Sequence, residues 1–120
     1  MAKVMVVDDA LSDVKLMESI IRSAGHDVVY YLDGEALEEK LATERPDLLL
    51  LDIVLPRRNG YEILRSVKKD ARFKATPVVV VSSKNQASDR TWGLRQGADE
   101  YVAKPFTSSQ LLAAVGRFIS

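Results

Sequence analysis

Apolar and polar positions divide the chain into five repeating units. Short runs rich in Val, Leu and Tyr alternate with longer segments in which apolar residues recur at helical spacing. The runs lie at residues 4–7, 28–32, 48–51, 78–81 and 101–103. Short continuous apolar runs are typical of parallel strands that helices cover on both faces. The pattern therefore predicts five βα units and a doubly wound α/β sandwich with a five-stranded parallel sheet.

Local signals place the first two helices between these strands. The first is predicted from about Leu11 to Ala24, with Gly25 where a C-terminal cap would lie. Asp33 is predicted to cap a second helix that continues through Thr43.

The other three helices also begin at recognisable caps. Asn59, with Glu62 three residues later, predicts a capping box for the third helix. The fourth is predicted over residues 86–96, and Thr107 with Gln110 predicts a capping box for the fifth. An apolar stripe is expected to form the buried face of this last helix, namely Leu111, Leu112, Val115, Phe118 and Ile119.

Chemically active residues follow four of the apolar runs. Asp8 and Asp9 come after the first run, Asp52 after the third, Ser82 after the fourth and Lys104 after the fifth. Ligands of doubly wound sheets bind beyond the carboxyl ends of the strands, so we expect these side chains to meet at one site. Three ionised carboxylates need a positive partner, and their oxygens suit Mg²⁺. Taken singly, Asp9 could instead cap the first helix.

The same residues suit phosphoryl transfer. An aspartate can attack phosphorus to form an acyl phosphate, and Asp52 follows the strand expected at the sheet centre. Ser82 could donate a hydrogen bond to one phosphoryl oxygen, and Lys104 could pair with another. Pro105 fixes the turn that aims Lys104, and whether their peptide bond is cis is left open by the sequence.

Composition limits the other functions. With 120 residues, the chain is expected to form a single domain over 1–120 without an output domain. Seventeen Lys and Arg balance 17 Asp and Glu, which gives no indication of nucleic-acid or membrane binding. The absence of Cys excludes disulfides and cysteine nucleophiles. No apolar run reaches membrane-spanning length, so we expect a soluble cytoplasmic protein.

Together these motifs resemble the receiver domain of two-component response regulators. The matching segments are VVDD at 6–9, LLLLDIVLPRRNG at 48–60, VVVVSS at 78–83 and GADEYVAKPF at 97–106. The resemblance covers essentially the whole chain and implies a flavodoxin-like (βα)5 fold with strand order 2-1-3-4-5.

The resemblance also assigns roles to individual residues. It implies that Asp52 accepts a phosphoryl group from a histidine kinase, with Ser82 and Lys104 on the phosphoryl oxygens. It implies that Mg²⁺ is bound by Asp8, Asp9, Asp52 and the backbone carbonyl of Val54. Tyr101 is implied to move inward when Ser82 engages phosphate. This movement would alter the face formed by helix four, strand five and helix five, where a downstream target protein binds.

This resemblance leads to several functional interpretations. The segment SSKNQASDRTWGLRQGAD at 82–99 is similar to stand-alone receivers of twitching-motility and phototaxis pathways. Such a protein is a phosphoacceptor that assists its own phosphorylation and dephosphorylation, not an enzyme acting on another substrate. It would be a monomer or a weak phosphorylation-dependent dimer. Three alternatives stay open: a phosphorelay intermediate that passes phosphate to a histidine phosphotransfer protein, a scaffold, and a flavodoxin-like cofactor-binding module. The last lacks any glycine-rich phosphate-binding motif.

Some positions depart from the common family pattern. Neither Val54 nor Lys84 can orient an attacking water as an acid or amide would, which predicts slow self-dephosphorylation. Arg57 and Arg58 could attract an acidic kinase surface, but a solvated charge pair is the favoured interpretation. Packing is slightly favoured over surface recognition for Trp92.

Overall fold

Five strands alternate with five helices along the chain in the computed structural model, which describes residues 1–120. The strands are β1 (Lys3–Val7), β2 (Asp27–Tyr31), β3 (Leu48–Leu51), β4 (Val78–Ser82) and β5 (Glu100–Ala103). The helices are α1 (Leu11–Ser23), α2 (Leu37–Glu44), α3 (Gly60–Lys69), α4 (Ala87–Arg95) and α5 (Ser108–Gly116). None of the helices combines the length and apolar character that a membrane crossing requires.

The five strands form one parallel sheet in the order β2-β1-β3-β4-β5. This confirms the predicted fold and strand order. Because the order reverses direction after β1, the carboxyl ends of β1 and β3 flank the switch point at which ligands of such sheets bind.

The core lies on both faces of this sheet. One cluster of 15 buried residues joins the sheet to α1 and α5, and a second cluster of 15 joins it to α2 and α3. All four residues of β3 and all five of β4 are buried. Burial on both faces explains why these strands appear in the sequence as continuous apolar runs rather than as alternating patterns.

The first helix agrees with its prediction, but the second begins later than expected. Helix α1 ends at Ser23, one residue before the predicted end, with Ala24 as its C-cap and Gly25 directly after it at φ of 91°. Asp33 does not cap α2, because its Oδ1 accepts a hydrogen bond from the Glu35 backbone N–H at 2.9 Å. The N-cap of α2 is Ala36, which has a left-handed backbone with φ of 51°. A local turn therefore uses the Asp33 side chain before the helix begins.

The remaining caps largely follow the predictions. Asn59 caps α3 by accepting from the Tyr61 N–H, although no reciprocal bond from Glu62 completes a capping box. The predicted capping box of Thr107 and Gln110 is confirmed at α5. Because α5 ends at Gly116, the last two members of the predicted stripe, Phe118 and Ile119, lie beyond the helix, where they still pack against the core.

Candidate functional site

The backbone register brings two of the aspartates together. Val7, the last residue of β1, pairs with Leu51, the last residue of β3. Asp8 and Asp52 each follow directly, and the Asp52 N–H donates to the Val7 carbonyl at 2.9 Å. The two carboxylates therefore lie side by side at the switch point of the sheet.

The other half of the sheet supplies the hydroxyl and the ammonium. Ser82 ends β4 and pairs with Ala103, the last residue of β5. The N–H of Lys104 then donates to the Ser82 carbonyl at 2.8 Å. The Lys104–Pro105 peptide bond is cis. All of the strand-end residues singled out in the sequence consequently lie at one edge of the sheet.

Lys104 joins the two halves of the site. Its Nζ lies 2.6 Å from Asp8 Oδ2, 3.0 Å from Asp52 Oδ2 and 2.9 Å from Asp13 Oδ2. The side chain is only 12% exposed. Burial by itself would lower the pKa of the ammonium, but the hydrogen bonds that it donates to the three carboxylates raise this pKa above its ordinary value. Lys104 is therefore a permanent positive charge in the site at neutral pH.

The acidic group combines buried and exposed carboxylates. Asp8 and Asp52 are buried, whereas Asp9 is exposed. Asp9 does not cap α1, whose N-cap residue is Ala10 and lacks a side-chain cap. Asp8 instead accepts from the Ala10 N–H at 2.9 Å. Asp9 is thus free to direct its carboxylate toward its two neighbours.

The carboxylates fit a hard divalent cation. One oxygen atom from each of Asp8, Asp9 and Asp52 can be chosen so that all three atoms lie within 4.8 Å of one another. Burial raises the pKa of Asp8, an effect that the nearby charge of Asp52 reinforces and Lys104 opposes. The single positive charge of Lys104 does not neutralise three carboxylates. A bound cation such as Mg²⁺ would therefore relieve the repulsion that remains among them.

The loop after β3 folds back over Asp52. The Val54 N–H donates to Asp52 Oδ1 at 3.0 Å, and the Gly60 N–H donates to the Ile53 carbonyl at 3.1 Å. A β-carbon at position 60 would lie 2.4 Å from the Ile53 Cα, so only glycine permits this approach. Val54 is 49% exposed. The backbone of this loop orients the carboxylate and leaves an apolar side chain facing solvent beside it.

Ser82 and Tyr101 are connected through one residue. Ser82 is fully buried, and its Oγ accepts from the Lys84 N–H at 3.3 Å. The Tyr101 hydroxyl donates to the Lys84 carbonyl at 2.6 Å. Tyr101 is buried, and this burial raises the pKa of its phenol to about 12. The backbone of Lys84 thus bonds to both side chains, through its N–H to Ser82 and through its carbonyl to Tyr101.

The two arginines of the loop do not form the predicted solvated pair. Arg58 forms a bidentate ion pair with Glu38 of α2, at 2.8 and 2.6 Å, and Ser66 donates to the same carboxylate. The Arg58 guanidinium lowers the pKa of Glu38 to about 2. Arg57 is exposed and lies 3.2 Å from Glu35. Arg58 consequently links the loop to α2, and only Arg57 remains a surface charge.

The structure also adds a residue that the sequence reasoning missed. Asp13 lies in the first turn of α1, five positions after Asp8, and bonds to Lys104. An acidic residue in the first turn of the helix that follows an acidic strand end was the available signal. It was ambiguous, because acidic residues are common at helix N-termini.

An open groove lies on the far side of Tyr101. It has a volume of about 420 Å³ and is bounded by α4, β5 and α5. Arg90 and Arg117 stand along it and both pair with Glu100. Trp92, on α4, is 48% exposed and meets Tyr61 edge-on at 6.4 Å between ring centroids. The tryptophan thus contacts Tyr61 and is about half exposed, so the prediction of packing is confirmed only in part.

Comparisons with known proteins agree with this geometry. The response regulator receiver domain matches residues 4–116. Protein PilH of Pseudomonas aeruginosa is 34% identical over 120 residues, which cover 100% of this chain and 99% of PilH. Protein PilG of the same organism is 36% identical over 113 residues, covering 94% of this chain and 84% of PilG. The structure of chemotaxis protein CheY4 of Vibrio cholerae has a TM-score of 0.89 at 28% identity and covers 99% of both chains.

Proposed function

Because the chain belongs to the response regulator receiver domain family, we propose that Asp52 is its phosphoacceptor and that a histidine kinase is the donor. The class is that of a two-component response regulator, related to PilH, PilG and chemotaxis regulators. The observation that carries the residue assignment is the Lys104 ammonium, which bonds to Asp52 and Asp8 together.

The proposed transfer is a substitution at phosphorus. One carboxylate oxygen of Asp52 forms the new P–O bond as the P–N bond of a phosphohistidine breaks, and the imidazole leaves as a proton replaces the phosphoryl group. Lys104 pairs with one phosphoryl oxygen, and Ser82 donates its hydroxyl to another. Hydrolysis later restores the carboxylate and releases inorganic phosphate. The protein assists both steps on itself and transforms no other substrate.

Mg²⁺ is the proposed cofactor. Asp8, Asp9, Asp52 and the backbone carbonyl of Val54 would hold it, since oxygen ligands are the ones this ion prefers. When bound, it would neutralise negative charge on the transferring group. Asp8 and Asp9 thereby act as ligands, while Asp52 keeps an oxygen for phosphorus.

Ser82 and Tyr101 form the proposed switch. When Ser82 bonds to the phosphoryl group, its bond with the Lys84 N–H is altered, and Tyr101 follows because its hydroxyl bonds to the Lys84 carbonyl. Tyr101 also lines the groove between α4 and α5, so its position changes the face offered to a downstream target protein.

The pathway and location complete the proposal. Similarity to PilH and PilG supports a role in twitching motility or taxis, through protein contacts and without nucleic acid. The cytoplasm is the proposed location, because the kinase makes its phosphoryl donor there from ATP. The protein acts as a monomer or a weak phosphorylation-dependent dimer.

Incubation with Mg²⁺ and a small acyl or amido phosphodonor tests the assignment. Intact mass should show one added phosphoryl group on the wild type and none on Asp52→Ala. Asp27→Ala is a matched control, because Asp27 is an exposed carboxylate at the opposite end of the sheet. No gain in the wild type, or an equal gain in Asp52→Ala, would refute the proposal.

A further inference from the structure

The Lys104 ammonium has a partner in Asp13 that phosphoryl transfer does not consume. A lysine ammonium has three N–H donors, and here each has its own carboxylate: Asp8, Asp13 and Asp52. The three acceptors come from different elements, namely the end of β1, the first turn of α1 and the end of β3. The fold therefore uses the full donor capacity of this side chain.

The three acceptors differ in what happens to them during the reaction. Asp52 gains a bond to phosphorus under the proposed function, and Asp8 shares its oxygens with the proposed cation. Asp13 does neither, and at 38% side-chain exposure it faces water, whereas Asp8 and Asp52 are 1% and 6% exposed. Asp13 is the one partner of Lys104 whose bonding can stay the same throughout the transfer.

We propose that Asp13 is a positioning residue for phosphoryl transfer. It anchors the Lys104 ammonium to α1, so that another N–H stays directed at Asp52 and the incoming phosphoryl oxygens. A lysine side chain loses rotamer freedom when it is fixed. Because Asp13 lies outside the reacting group, it holds Lys104 in place before the donor binds. The entropy loss of the lysine side chain then does not add to the barrier of the transfer. The inference rests on the proposed function of Asp52.

Two other roles for Asp13 predict different kinetic effects when its side chain is removed. If Asp13 merely competed with the phosphoryl group for Lys104, its removal would speed the transfer. If it acted only through its negative field on an anionic donor, its removal would lower the half-saturating donor concentration, and salt would screen that change.

The experiment measures phosphorylation rate against phosphodonor concentration, with saturating Mg²⁺, for three variants and the wild type. Asp13→Ala should lower the maximal phosphorylation rate about three- to tenfold, which is less than the roughly hundredfold cost of a 1 Å misplacement. The half-saturating concentration of the phosphodonor should stay nearly unchanged at low and at high salt. Asp13→Asn should lie between, because its amide oxygen still accepts a hydrogen bond. Glu18→Gln, a neutralised carboxylate elsewhere on α1, should match the wild type.

A second measurement reports on the ammonium itself. In protein with ¹⁵N-labelled lysine, the Lys104 Nζ protons should exchange with water faster in Asp13→Ala than in the wild type and Glu18→Gln. Thermal unfolding of each variant confirms that it is folded. An unchanged or increased maximal rate in Asp13→Ala, or unchanged exchange at Nζ, would overturn the inference. Failure of the wild type to be phosphorylated would instead contradict the proposed function.

Discussion

Gly93 of α4 packs directly against the ring of Tyr101 on β5. A β-carbon at position 93 would lie 2.8 Å from Cδ2 and 2.9 Å from Cε2 of the tyrosine. The Tyr101 hydroxyl is held at the same time by the Lys84 carbonyl. The ring is thus confined along its Cδ2–Cε2 edge and at its tip, and α4 can approach β5 only because residue 93 has no side chain.

Gly93→Ala should destabilise the protein by about 1–3 kcal/mol, the usual cost of overpacking a buried site. Denaturant unfolding measures the change. Gly116→Ala is the matched control, because a β-carbon there meets nothing within 4 Å, and its stability should be unchanged or slightly higher. In a Tyr101→Val background the penalty of Gly93→Ala should disappear. A penalty that persists there would show that the ring is not its cause.

Trp92 should report the proposed switch through its fluorescence. It is the only tryptophan, it meets Tyr61 edge-on and it adjoins Gly93, which touches Tyr101. A movement of Tyr101 would change its surroundings, so phosphodonor with Mg²⁺ should shift or quench its emission. Asp52→Asn should abolish this response. A response that survives in Asp52→Asn would mean that the donor or the ion acts without phosphorylation.

Val54→Asn should shorten the life of the phosphorylated protein. The Val54 side chain faces solvent beside Asp52 and cannot orient water, whereas an amide can. We expect hydrolysis to accelerate roughly three- to tenfold, as a better-placed nucleophile recovers part of its rate advantage. Intact mass after donor removal gives the half-life. Val54→Ala controls for the loss of bulk and should decay like the wild type, and equal decay for Val54→Asn would contradict the explanation.

The ion pair between Arg58 and Glu38 should contribute to stability in a defined pH range. Because Arg58 lowers the pKa of Glu38 from its ordinary 4.5 to about 2, the contribution is present above pH 4.5 and is lost as pH falls toward 2. Glu38→Gln should reduce folding stability at neutral pH. The stability of this variant should also fall less steeply than that of the wild type between pH 4.5 and 2. Unfolding midpoints measured from pH 6 to about 2 test this, with the exposed Glu39→Gln as control. Parallel curves for wild type and Glu38→Gln would rule it out.

Mg²⁺ should raise the melting temperature. A cation that binds only the folded protein adds about 2.7 kcal/mol at one hundred times its Kd. Asp9→Asn should weaken this effect, because it removes one of three clustered carboxylates and leaves the buried Asp8 and Asp52 in place. Asp27→Asn should retain it. An equal rise in Asp9→Asn and wild type would place the ion elsewhere.

The sequence was sufficient to predict the fold and the strand-end residues. Continuous apolar runs indicate strands buried on both faces, and parallel strands end at a common edge. Residues that directly follow the runs, such as Asp8, Asp52 and Lys104, were therefore expected to meet even though up to 96 positions separate them. The distance along the chain matters little when the strand pattern determines the register.

Contacts that depend on helix rotation or loop path could not be predicted in this way. Asp13 of α1 reaches Lys104 across 91 positions of the chain, and Arg58 of the loop reaches Glu38 of α2 across 20 positions. The start of α2 was misplaced because the Asp33 side chain can satisfy either a helix cap or a local turn. In each case several partners were chemically equivalent, and only the three-dimensional packing selected one.

Among the nine residues of α4, only Gly93 is buried. Most side chains of this helix contribute neither to the two hydrophobic clusters nor to the carboxylates that surround Lys104. Substitutions on its outer surface should consequently leave both the core and the reactive end intact. The face proposed to bind a downstream protein can therefore vary in sequence without a cost to folding or to the carboxylates around Lys104.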